Sequence, residues 1–105
     1  MRDDAFRSLV EGCDLTAEEA CALRLRDWHL AGMTLRVRLH GYERVVPVAA
    51  VARVAVERWL RDGRRSFAGH RQRPCDRLLL GHRGGPLRPW AIRRLARDAR
   101  DAVAG

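Results

Sequence analysis

Arginines are the residues of this sequence whose type and spacing could do chemistry. Arg93, Arg97 and Arg100 recur at i, i+4 and i+7, which places them on one face of a helix. A guanidinium group is always charged and donates paired hydrogen bonds, so such a face can lie along the phosphates of a nucleic acid. A solvated helix face with no partner explains the same spacing equally well.

The distribution of charge favours an anionic partner. All 21 basic residues are arginine and 13 residues are acidic, which gives a net charge of +8. A GC-rich gene explains arginine in place of lysine but not this surplus, because aspartate and glutamate were equally available to it. Residues 1–35 hold four arginines and seven acids, whereas residues 36–105 hold seventeen arginines and six acids. The anionic partner is therefore expected on the C-terminal part.

Length and composition exclude several classes of protein. A chain of 105 residues permits one small domain and excludes a multi-domain enzyme. No apolar run reaches the roughly 18 residues of a transmembrane helix, and no hydrophobic signal core follows the polar start. The three cysteines and four histidines show no ligand spacing. We expect a cytoplasmic protein with no metal, no cofactor and no membrane partner.

Hydrophobic periodicity predicts four helices that position these arginines. The expected helices cover residues 3–12, residues 16 to about 27, residues 49–62, and the chain from Pro89 onwards. Thr16 and Glu19 form a capping box at the start of the second helix. Gly63 is the expected end of the third helix.

The remaining segments predict one β-hairpin and several loops. Residues 34–38 alternate in hydropathy and residues 43–48 are extended, with a short glycine-containing loop between them. Residues 63–77 are an expected basic loop and residues 78–80 a short buried segment. The predicted fold is a single α+β domain over residues 1–105, mostly helical, with a small antiparallel hairpin.

Three stretches resemble the catalytic domain of tyrosine recombinases, the phage-integrase family. Residues 15–30 resemble its "GLR-x-SE-x-x-x-L-x-x-x-D" helix, with Glu19 and Asp27 at the two acidic positions. Residues 34–47 resemble its hairpin, and residues 78–95 resemble its "L-F-x-S-x-x-G-x-P-L-S" turn and following helix. The resemblance implies a fold like the N-terminal part of that catalytic domain, C-terminally incomplete.

The resemblance also implies contacts with the backbone of duplex DNA. In the family, loops and helices around the catalytic centre hold DNA. The arginines that match these regions are Arg44, after the hairpin turn, and Arg88, Arg93, Arg97 and Arg100, on the last helix and just before it.

Departures from the family pattern argue against DNA cleavage. The family's first catalytic arginine falls at Thr16, and its hairpin lysine, whose place falls near His40, has no counterpart because the chain contains no lysine. The sequence ends before the family's His-x-x-Arg box and nucleophilic tyrosine, and Tyr42 lies in the hairpin turn instead. We expect no catalytic residue and no enzymatic activity.

The resulting hypothesis is an integrase-like DNA-binding protein associated with DNA integration and recombination. One alternative is a protein-interaction module that docks to itself or to a full-length recombinase through apolar surface at Trp59, Trp90 or residues 78–80. Another is a decayed gene product without function.

Overall fold

The computed structural model describes residues 1–29, 33–69 and 74–104. Besides a short 3-10 helix at Leu25–Asp27, five α-helices and three strands occur in these ranges. In chain order they are α1 (Arg2–Gly12), α2 (Ala17–Ala22), β1 (Trp28–His29), β2 (Thr34–Leu39), β3 (Tyr42–Pro47), α3 (Ala50–Arg58), α4 (Arg64–Ala68) and α5 (Pro89–Ala104), with α3 and α4 joined by a π-helical turn, Trp59–Gly63. The predicted α+β class, with about four helices and an antiparallel hairpin, is confirmed.

The hairpin is longer than its pattern suggested and belongs to a three-stranded sheet. The strand order is β1-β2-β3, and both pairs are antiparallel. Leu39 pairs with Tyr42, so the connecting loop has two residues, His40 and Gly41, both with positive φ. This geometry is a type I′ turn, whose twist matches that of the strands it joins. Pro47 closes β3 at its pairing with Thr34, as expected of a residue without an N–H.

The second helix is shorter than predicted. Thr16 caps it and forms the expected capping box with Glu19, but α2 ends at Ala22 instead of near residue 27. After it Leu23 and Arg24 are extended, since the Leu25 N–H donates to the Asp76 carbonyl and the Leu78 N–H donates to the Leu23 carbonyl, and a short 3-10 helix follows at Leu25–Asp27. Pairing with a segment more than fifty residues away therefore replaces the last turns of the helix.

The third helix does not end at Gly63. The helical backbone continues through the π turn into α4, so residues 64–68 of the predicted loop are helical. Gly63 is buried against Trp59, and a Cβ on Gly63 would lie 2.8 Å from the Trp59 ring. Glycine is therefore needed at position 63 for close packing on Trp59, and it does not end the helix.

The core lies between α1, the α3–α4 unit, the inner face of the sheet and the segment at residues 78–80. Phe6 and Leu9 of α1 are buried in the same core cluster as Trp59, and residues 78–80 are fully buried as predicted. The Trp59 indole N–H donates to the Leu78 carbonyl at 2.8 Å, which satisfies the polar atom of the largest core side chain. Helix α5 closes the core from one side through Leu95.

Candidate nucleic-acid interface

Helix α5 presents its arginines to solvent because its other face is packed. Pro89 begins the helix, where a missing N–H costs nothing. Ile92, Leu95 and Ala99 pack towards the core, and the helix contacts α1 and α2. The opposite face is therefore directed outwards.

Four arginines and one tryptophan form a single surface on that outer face. Arg93, Arg94, Arg97, Arg100 and Trp90 line one shallow groove, here called the α5 surface. All five residues are exposed. The predicted positions 93, 97 and 100 are thus brought together, and the structure adds Arg94 and Trp90 to them.

The guanidinium groups of the α5 surface are mostly not neutralised by acids. The Arg97 Nε lies 4.0 Å from the Asp98 carboxylate, which is a marginal ion pair. Within residues 1–29, 33–69 and 74–104, no carboxylate lies within 4.0 Å of Arg93, Arg94 or Arg100. Their charge is available to an anionic partner, and the local field is that of a cationic stripe.

Arg88 lies beside this surface in a second groove. This groove, about 820 Å³ in volume, is bounded by the start of α1, the turn at residues 81–88 and the start of α5. Trp90 and Arg94 line both grooves. Arg88 is therefore a neighbour of the α5 surface across Trp90.

Arg44 has a different environment from the other four predicted residues. Its Nη2 donates to the Glu19 carboxylate and to the Asp14 carbonyl, each at 3.2 Å. The Arg44 side chain is 44% exposed, so part of the guanidinium still faces solvent. Arg44 therefore has a partner inside the fold, Glu19. A contact between Arg44 and DNA stays a prediction.

Glu19 is a buried carboxylate that fastens the hairpin to α2. It is 1% exposed. Its Oε1 accepts from the Thr16 N–H at 2.9 Å and from Arg44, and its Oε2 accepts from the Tyr42 hydroxyl at 2.9 Å. Burial raises the pKa of Glu19, but the hydrogen bonds from Thr16 and Tyr42 and the charge of Arg44 outweigh burial and hold this pKa below its usual value.

Asp27 is a second buried carboxylate, and it fastens β2 by pairing with Arg38. It is 3% exposed. Its Oδ2 accepts from the Arg24 N–H at 2.9 Å, and its Oδ1 accepts from Arg38. The two acids of the "SE-x-x-x-L-x-x-x-D" pattern are thus structural anchors of the sheet. The capping box pointed to Glu19, but no local pattern pointed to the hairpin arginines and the tyrosine as partners of these acids.

Tyr42 and His40 lie at the hairpin turn, and neither lines the groove of the α5 surface. The hydrogen bond to Glu19 raises the pKa of Tyr42 above its usual value, so this hydroxyl is held protonated. His40 is exposed in the turn, with its Nε2 at 3.5 Å from the Glu18 carboxylate.

Two of the three positions offered for an apolar docking surface are buried. Trp59 and residues 78–80 are fully buried, because they form the centre of the core. Of the residues predicted for this patch, Trp90 alone is exposed, at 56%. The other exposed apolar side chains include Val51 and Val54 on α3, which border a shallow groove together with Met1.

No helix among the described residues is both long enough and apolar enough to cross a membrane.

Comparison with known proteins points to one family. The chain is 31% identical to the tyrosine recombinase XerC of Anoxybacillus flavithermus over 98% of its own length and 35% of that protein. It is 38% identical to the XerC of Chromobacterium violaceum over 88% of its length and 32% of that protein. No protein-family model matches the chain.

A solved structure shows the same fold. The crystal structure of XerA recombinase superimposes with a TM-score of 0.76 at 25% identity, over 98% of this chain and 36% of the other. The chain therefore spans about a third of the length of the recombinases that it matches.

Proposed function

We propose that this chain is a domain of the tyrosine recombinase family that holds the DNA backbone on the α5 surface. The similarity to XerC proteins over nearly the whole chain supports the family, and a recombinase-like role in DNA binding and recombination follows from it. The finer proposal, that α5 is the contact, depends on the chemistry of this chain's own residues.

The observation that carries the proposal is the α5 surface itself. Four exposed arginines line one groove, and three of them have no carboxylate within 4.0 Å in the described part of the chain. Arginine binds phosphate oxygens through its planar fork, and contacts of this kind fix a protein on DNA without selecting a sequence. The expected ligand is the backbone of duplex DNA in the cytoplasm.

We further propose that these 105 residues do not cleave DNA by themselves. Thr16 stands where the family pattern has its first catalytic arginine, and its side chain caps α2. The Tyr42 hydroxyl donates a hydrogen bond to Glu19, and this bond raises the pKa of Tyr42, so the phenolate that would attack a phosphodiester is less populated. Because the chain spans only about a third of its relatives, their strand-transfer chemistry is not carried over to it. Covalent trapping on nicked DNA tests this part.

The binding proposal is tested by measuring affinity for a mixed-sequence duplex over a series of salt concentrations. We expect log K to fall linearly with log salt concentration, with a slope of about −0.9 for each phosphate neutralised. The double variant R93Q/R97Q should bind more weakly and lower the magnitude of the slope by roughly 2, about one unit for each arginine.

A matched control removes two charges elsewhere. Arg58 and Arg61 are exposed arginines that do not line the α5 groove. The variant R58Q/R61Q has the same net charge as R93Q/R97Q but should keep most of the affinity. Equal losses in the two variants, or binding that salt does not weaken, would contradict the proposal.

A second candidate is docking to a protein, supported by the exposed Val51 and Val54 beside Met1. Size-exclusion chromatography with light scattering separates it from the first. A monomer that binds DNA supports the DNA proposal, and a dimer that does not bind DNA supports the second candidate.

A further inference from the structure

Trp90 is an exposed aromatic side chain set among cations. It is 56% exposed in the first turn of α5, whereas Trp59 is fully buried and Trp28 is partly buried. A single exposed apolar side chain is common on protein surfaces and indicates nothing by itself. Trp90, however, lines one groove together with four arginines. In sites that bind single-stranded nucleic acid, aromatic side chains beside basic residues stack on the faces of bases.

Trp90 lies between two grooves that both contain arginines. On one side lies the α5 surface with its four arginines. On the other side lies the groove of about 820 Å³, whose lining includes His82 and Leu87 as well as Arg2, Arg83 and Arg88. A strand whose phosphates follow the arginines would therefore bring its bases to the indole, with space beyond it.

Base pairing decides which DNA can use this arrangement. In an intact duplex each base is stacked between its neighbours and shows only its edges in the grooves. An indole can cover the face of a base only where that base is unpaired. The α5 surface alone does not discriminate in this way, because phosphates occur in both kinds of DNA.

We propose that Trp90 stacks on an unpaired base, so that the domain prefers DNA with a single-stranded segment to fully paired DNA. This inference rests on the proposed function, since it uses the arginines of the α5 surface to hold the backbone. Electrostatics alone predicts the opposite order, because duplex DNA has the higher charge density. A preference for the unpaired form therefore reports on stacking.

The test compares oligo-dT with a fully paired duplex of the same length. The intact domain should bind oligo-dT more tightly than W90A does by roughly 5- to 100-fold, which is the effect of losing one stacked base. The affinity of both proteins for the duplex should be similar. W90F keeps a ring and should lie between them on oligo-dT, while R93Q/R97Q should weaken the binding of both DNAs.

Fluorescence supplies a second readout. The chain has three tryptophans, and stacking quenches the one that it involves. We expect oligo-dT to quench the intact domain and to leave W90F, which retains the other two tryptophans, nearly unchanged. Because Trp90 is exposed, circular dichroism should show the same fold in W90A.

The outcomes separate this inference from the proposed function. One outcome is that the duplex binds in a salt-dependent way, W90A matches the intact domain on both DNAs, and oligo-dT does not quench fluorescence. This outcome overturns the role of Trp90 and leaves the proposed function standing. No binding of either DNA at low salt overturns both.

Discussion

At the scale of single residues, two buried carboxylates join the helical part of the molecule to the sheet. Glu19 holds Tyr42 and Arg44 of β3, and Asp27 holds Arg38 of β2. A buried charge is tolerated only when its oxygens are satisfied, and here each carboxylate accepts from both backbone and side-chain donors. These acids therefore fix the position of the hairpin relative to α2.

Replacing Glu19 by glutamine should destabilise the domain. The amide keeps the shape of the side chain but loses the charge that Arg44 faces and one acceptor for the surrounding donors. We expect a loss of about 1–3 kcal/mol in the free energy of unfolding, measured by urea denaturation. Glu18→Gln is the matched control, because the Glu18 side chain is 67% exposed and its loss should cost under about 0.5 kcal/mol.

The pH dependence of stability should identify the charge of Glu19 as the cause. The folded-state pKa of Glu19 lies below its usual 4.5, so its contribution is complete above that value and is lost as the pH falls through the folded pKa. The intact domain should lose more stability between pH 6 and pH 3 than Glu19→Gln does. Identical pH profiles for the two proteins would show that the charge has no role.

At the scale of elements, the π turn between α3 and α4 depends on a glycine. The extra residue of a π turn shifts the helix register, and it leaves Gly63 against the Trp59 ring and near the Met1 sulfur. Phe67 of α4 then meets Trp59 edge to face at 5.1 Å and lies parallel to His82 at 5.3 Å. The turn thus brings α4 over the core.

Gly63→Ala should be strongly destabilising although it lies in a helix. The new Cβ would lie 2.8 Å from Cε3 of Trp59, a side chain that is fully buried and has little room to move. We expect the free energy of unfolding to fall by about 1–3 kcal/mol, as in other overpacked cores. Thermal denaturation measures this loss.

Gly69→Ala is the control for this substitution. Among the described residues, its Cβ would meet the Arg65 and Ser66 carbonyls, at 3.5 and 3.9 Å, and the Gly69 φ of −63° is one that alanine adopts. We expect a change within about 0.5 kcal/mol in either direction. If Gly63→Ala were as mild as Gly69→Ala, the close packing of Gly63 on Trp59 would not be a constraint.

At the scale of the whole molecule, some arginines have partners inside the fold, and others face solvent without an acidic partner in the described part of the chain. Arg38 and Arg44 pair with buried acids, and Arg64 donates to the Cys75 and Arg77 carbonyls at 2.6 and 2.7 Å. Arg77 in turn donates to the Ala22 carbonyl at the end of α2. Among the described residues, Arg93, Arg94 and Arg100 on α5 have no carboxylate within 4.0 Å, and exposed arginines without such a partner also occur elsewhere, at Arg26, Arg58 and Arg65.

The isolated chain should form no covalent adduct with DNA. Incubation with a nicked suicide duplex traps any tyrosine that attacks a phosphodiester, and denaturing electrophoresis detects the product. We expect no adduct from the intact domain or from Tyr42→Phe, whereas an active tyrosine recombinase should give one as a positive control. A shifted band that disappears in Tyr42→Phe would make Tyr42 a nucleophile and overturn the proposal.

Local patterns determined the elements of the fold and the surface that α5 presents. The capping box at Thr16, the hairpin and the start of α5 at Pro89 are found where the sequence predicted them, because caps, strand alternation and proline act within a few residues. The spacing of Arg93, Arg97 and Arg100 likewise fixed their common face through the helical period alone.

Contacts between distant segments determined the rest. The pairing of residues 23–25 with residues 76–78 ends α2 earlier than predicted. Gly63, the predicted end of the third helix, lies inside it and packs on Trp59. The partners of Glu19 and the groove that Trp90 shares with the arginines also join elements far apart in sequence. No periodicity encodes such pairs, because their energies arise only when the folded chain brings the side chains together and excludes water from between them.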